Sequence, residues 1–222
     1  MSPAKLLLAA LAMAMAFPVA AQTARRLDVL LTEIMADPSP VVGLPNAEYI
    51  EIRNVSATAF NLQGWRIADA GGTATITTAF TLQPDSAVIL CANSNVAQLS
   101  PFGRTIGVAS FPSLDNEGEM LALLSPQNSV IHAVSYSSEW YGNAVKREGG
   151  WSLEMVDVAN PCIGSENWTA STSNSGGTPG QQNSVQGNNA DATPPQLKKA
   201  VAPASDKVVL SFNEPLDSST AA

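Results

Sequence analysis

One histidine and two cysteines are all the imidazole and thiol groups that 222 residues offer for metal ligation or nucleophile activation. Nucleophilic triads and structural zinc sites need such side chains in clusters, and the chain downstream of its first 21 residues holds no C-x-x-C, H-E-x-x-H, G-x-S-x-G, Walker loop or EF-hand loop. His132 lies mid-strand, and its neighbours nominate no nucleophile, substrate contact or orienting partner, so it reads as an ordinary half-buried or surface histidine. No catalytic residue, metal site or cofactor is implied. Basic residues are scarce too: between residues 27 and 185 five (Arg53, Arg66, Arg104, Lys146, Arg147) face fifteen acidic ones. Nucleic-acid binding draws on Lys and Arg to neutralise phosphates, so nucleic acid is a poor partner, and the acidic surface suits solubility. Helical periodicity is missing beyond the first 21 residues.

What is present begins with a targeting segment. Lys5, an apolar run from Leu6 to Phe17, Pro18 and the small residues Val19-Ala20-Ala21 read as a signal peptide over residues 1–21. The apolar run is short for a bilayer span, so no transmembrane anchor is expected in the mature part. Its place is expected to be secreted, periplasmic or at the cell surface. In such an oxidising compartment an even cysteine count favours a bridge between Cys91 and Cys162 over two thiols. The closed loop of about 72 residues would stabilise the fold by roughly 4 kcal/mol.

Short apolar or alternating runs recur between turn residues, the mark of an all-β sandwich. Strands are expected over 29–36, 48–54, 65–69, 87–91, 104–108, 119–124, 130–136 and 151–156. In the second, Ile50 and Ile52 face a core while Tyr49, Glu51 and Arg53 face water. The run Ala87-Val88-Ile89-Leu90-Cys91, apolar on both faces, reads as a central strand. Strands 119–124 and 130–136 form a hairpin through Ser125-Pro126-Gln127-Asn128-Ser129. The first and second strands are joined by an exposed loop, Asp37 to Asn46. The sandwich is assigned to 27–172. Residues 173–195, almost all Gly, Asn, Gln, Ser, Thr and Pro, read as a linker. Lys207 to Phe212 is a further strand, and 196–222 reads as the start of a truncated domain.

Asp115, Glu117 and Glu119, with Asn116 and Gly118, offer oxygens but lack the ligand ladder of a calcium loop. They read as a turn, and Asp37 and Asp69 as turn caps. Trp65, Trp151 and Trp168 suit core anchors. Trp140-Tyr141 lies in a loop after the hairpin and is the candidate binding surface, for a protein or carbohydrate ligand. The competing reading folds the pair back over the sandwich edge.

Glu33-Ile-Met-Ala-Asp-Pro38, Glu48-Tyr-Ile-Glu-Ile-Arg-Asn54, Asn61-Leu-Gln-Gly-Trp65 with Ile67-Ala-Asp69, Asn116-Glu-Gly-Glu119, Gly150-Trp-Ser-Leu-Glu154, Asn167-Trp168 and Gly176-Gly-Thr-Pro-Gly180, in that order, resemble the bacterial lamin tail domain over about residues 27 to 185. Residues 190 to 222 resemble the start of a bacterial Ig-like domain. The first resemblance implies an immunoglobulin-like β-sandwich without catalytic residues, a module of a larger exported protein. Two functions follow: a non-catalytic interaction or structural module, or an accessory domain of a secreted nuclease or phosphatase whose catalytic part lies beyond residue 222. Gly149 to Trp168 then reads as a clasp, pinned by Cys162 on Cys91.

Overall fold

In the computed structural model, residues 23–190, 194–212 and 216 are described. The segment read as a signal peptide, residues 1–21, lies outside them. The strands are β1 (Val29–Met35), β2 (Tyr49–Asn54), β3 (Phe60–Asn61), β4 (Arg66–Ala68), β5 (Thr73–Thr75), β6 (Thr81–Leu82), β7 (Ala87–Ala92), β8 (Thr105–Val108), β9 (Met120–Leu124), β10 (Val130–Ser135), β11 (Leu153–Met155), β12 (Trp168–Ala170), β13 (Leu197–Ala204) and β14 (Lys207–Phe212). All eight strands expected in the sandwich are found, as is the Lys207 strand. A six-stranded sheet runs β12-β11-β1-β2-β7-β8 and a four-stranded one β10-β9-β4-β5, with two further pairs, β3-β6 and β13-β14. This is an all-β, immunoglobulin-like sandwich.

Period-two alternation places the core. Leu30, Ile34, Ile50, Ile52, Val88, Leu90, Leu153 and Met155 of the large sheet meet Ile67, Leu121, Leu123 and Ile131 of the smaller one, with Trp65 and Trp168 at most 4% exposed among them. The β9-β10 hairpin closes through Ser125 N–H to the Ser129 carbonyl at 2.9 Å, and Asn128 takes the left-handed conformation its turn requires.

Two sequence expectations are corrected here. The outer face of the large sheet is not wet: Tyr49 and Glu51 are buried, and Met35, Leu44, Tyr49, Ile89, Cys91 and Leu99 form a second apolar cluster there. Nor are residues 173–190 a free linker. This segment lies as a strap on that face, with Gly176, Gly177, Pro179 and Asn183 buried. Asn183 Nδ2 donates to the carbonyls of Thr32 and Met155, each at 2.9 Å. Glycine is required at position 177 because a Cβ there would lie 2.7 Å from both Glu33 Oε1 and the Tyr49 hydroxyl. Composition reports how little apolar surface such a segment can bury; it does not report hydrogen bonds.

Candidate functional site

Beside β10 a groove of about 560 Å³ opens, bounded by Arg26, His132, Val134, Trp140, Cys162 and Trp168. Its walls come from separate elements. Trp140 sits on the 3-10 turn Ser138–Tyr141, and Trp168 begins β12. The two indoles lie 6.4 Å apart at 34°, a tilted contact that fixes Trp140 while leaving it half-buried.

The expected pair is therefore split. Trp140 faces the groove, whereas Tyr141 is buried and its hydroxyl donates to the Trp151 carbonyl at 3.0 Å. Neighbours on a tight turn point to different sides, so Tyr141 belongs to the core and not to a binding surface.

His132 is buried and committed. Its Nδ1 accepts the Leu31 amide at 3.0 Å, at a register shift in β1, and the other ring nitrogen bonds the Pro161 carbonyl. Burial, reinforced by the Arg26 charge, lowers its pKa to about 4, so at neutral pH it is uncharged and structural. His132→Leu would strand the Leu31 amide; a loss of about 2 kcal/mol in urea unfolding is expected, and a variant as stable as the parent would contradict this role.

No disulfide joins Cys91 to Cys162. Cys91 is buried in the outer-face cluster on β7, where burial pushes its thiol up to about 11. Cys162 lines the groove beside Trp168, at the other side of the sheet. Cys162 itself lies in the loop between β11 and β12, and β12 stands four strand positions from β7 in the order of the sheet. The clasp exists but is amide-built. Asn167, fully buried, donates from Nδ2 to the carbonyls of Asp157 at 2.8 Å and Asn160 at 3.0 Å and accepts the Asp157 amide at 2.9 Å. It closes the β11-β12 loop.

The acidic turn is spent inside the fold. Asp115 Oδ1 accepts the Glu117 amide at 2.9 Å, Glu119 Oε1 accepts the Asp115 amide at 3.0 Å, and Glu117 accepts the Ser138 hydroxyl at 2.9 Å. Asp37 and Asp69 cap their own turns. Among the described residues no group of three or more His, Cys, Asp or Glu is arranged to hold a metal ion.

Sequence reasoning missed one feature altogether. Glu33 pairs in register with Glu154 on one side and Glu51 on the other, and all three are at most 1% exposed. Glu33 Oε1 accepts from the Tyr49 hydroxyl at 2.6 Å, the Ser152 hydroxyl at 2.7 Å and the Thr178 amide at 2.8 Å, while its Oε2 is buried without a partner. Burial, with the charges of Glu51 and Glu154, raises Glu33 to about 8; burial raises Glu51 to about 7 against bonds from Gly180 and Thr32 and the charge of Arg53. The available signal was a glutamate set between β-branched or apolar neighbours three times over, in Thr32-Glu33-Ile34, Ile50-Glu51-Ile52 and Leu153-Glu154-Met155.

The family model for the Lamin Tail Domain matches residues 22–138, more than half of the chain. No match is found among curated proteins.

Proposed function

The chain belongs to the lamin tail domain family, a non-catalytic immunoglobulin-like fold, and on that basis we propose that it is an interaction module of an exported multidomain bacterial protein, holding a protein or carbohydrate ligand in the Trp140 groove. The observation that carries this reading is the groove itself: an aromatic wall held half-buried by Trp168, next to a histidine tied into the backbone. Pre-positioned aromatic surface binds with little ordering cost, and stacking on an indole suits a sugar ring or an apolar side chain. The targeting segment supports export. The multidomain reading draws on β13-β14, whose Val208, Leu197 and Leu210 are 67%, 54% and 51% exposed, since a lone hairpin cannot bury such residues.

Tryptophan fluorescence titrations with chitohexaose, cellohexaose and a proline-rich decapeptide test it. Saturable binding by one class is expected, weakened at least tenfold, or about 1.4 kcal/mol, in Trp140→Ala. No saturation by any of the three, or equal affinity of the variant, would overturn the groove as the site.

A further inference from the structure

We propose that the part of this strap from Ser173 to Val185 is a proton-operated latch, seated on the outer face of the large sheet while Glu33 and Glu51 beneath it are uncharged and lifted as these two ionise. Glu154, Glu33 and Glu51 stand directly opposite one another on three adjacent strands, a spacing of about 5 Å at which like charges repel. The strap is fastened to these same groups. The Thr178 amide donates to Glu33 at 2.8 Å and its hydroxyl to Glu154 at 2.8 Å; the Gly180 amide donates to Glu51 at 2.7 Å; the Ser184 hydroxyl and Val185 amide donate to Glu154 at 2.7 and 3.2 Å.

Little else in the strap is apolar: Pro179 and Val185 are its only sizeable apolar side chains. Segments held mainly by polar bonds occupy the low end of local opening free energies. The charges that face the cluster are few. Tyr49 donates to Glu33 from β2, Arg53 on β2 acts on Glu51, and the strap itself brings no titratable group. An ionised Glu33 would therefore keep one oxygen dry and unpartnered beside two further carboxylates, an arrangement that hydration relieves.

Linkage sets the direction. The closed form holds Glu33 and Glu51 at about 8 and 7, above the ordinary carboxyl range that hydrated groups regain. Closed strap thus binds more protons than open strap, and rising pH favours opening. Once released, the segment has the Gly, Ser and Asn composition of a flexible tether. The latch exchanges a fixed spacer before β13 for a longer, mobile one.

Amide hydrogen exchange on the full chain, corrected for intrinsic rates, decides it. Between pH 6 and pH 9 the protection of Thr178, Gly180 and Val185 is expected to fall at least tenfold further than that of Ile89 and Leu90 in β7. Glu33→Gln with Glu51→Gln should hold strap protection level across the same range. If that variant does not fold, the wild-type pH series stands by itself, with Glu51→Gln alone expected to halve the logarithmic fall. Strap and β7 protection changing in parallel, or strap protection unmoved by pH, would overturn the latch.

Discussion

Thermodynamic stability is expected to fall as pH rises from 5 to 9, by on the order of 3 to 5 kcal/mol, so that the domain unfolds more readily in mild alkali than in mild acid. Three groups set the sign. Glu33 and Glu51 have folded values of about 8 and 7, raised by burial above the 4.5 of the unfolded chain. Their contribution is complete below pH 4.5 and is lost as pH rises through those folded values. His132 works the other way: its folded value of about 4 lies below 6.5, so its contribution is present above pH 6.5 and is lost as pH falls toward 4. Between pH 4.5 and 6.5 the histidine offsets one glutamate, and from 6.5 to 8 nothing opposes the two. The fall ends where the strap has lifted, because hydrated carboxyls no longer oppose the fold by ionising. Urea unfolding at a series of pH values measures this, and Glu33→Gln with Glu51→Gln should flatten the alkaline side. A parent profile flat from pH 5 to 9 would show that the carboxyls are not buried together.

Asn167→Ala should lower stability by about 3 kcal/mol, or roughly 6–12 °C in melting midpoint for a chain of this size. The side chain is fully buried and serves three backbone groups, the Asp157 amide and the Asp157 and Asn160 carbonyls. Alanine leaves all three without partners in the loop that joins β11 to β12. Its edge strand carries Trp168, so the groove should loosen with it. Cys162→Ser under oxidising conditions should fall far short of the roughly 4 kcal/mol that loss of a 72-residue disulfide loop would produce. Differential scanning calorimetry on both variants separates the two clasps. A large drop for Cys162→Ser with little for Asn167→Ala would restore the disulfide.

These contrasts show which parts of the molecule its sequence made legible. Strands such as β7 and β9 are visible because β-branched and leucine-rich runs end at turn residues, and the six-residue β2 shows clean alternation. The pieces β3, β5 and β6, of two or three residues, fall outside the runs expected as strands, whereas the equally short β4 and β11 lie within the runs 65–69 and 151–156. Alternation also names two faces without saying what covers the second one. Glu51 on a strand reads as solvent-facing until a strap of amides and hydroxyls is laid over it. Those donors are small and polar, which suits them to bonding buried carboxyls and also gives the segment a linker's composition. The even cysteine count was compatible with a bridge but silent on placement: Cys91 lies in the outer-face cluster and Cys162 at the groove beside β10. At the groove, Trp140 was legible and Trp168 was read only as a core anchor, since their contact joins positions 28 apart in the chain.

The most direct test of the binding role is a ¹⁵N NMR titration that follows the four tryptophan indole N–H signals as chitohexaose, cellohexaose or the decapeptide is added. The groove account predicts that one ligand class moves Trp140 and Trp168 together while Trp65, buried in the core, and Trp151, beneath Lys146, stay in place. Saturable shifts at Trp151 or along the strap with Trp140 unmoved would contradict it and put the interaction surface elsewhere on the sandwich.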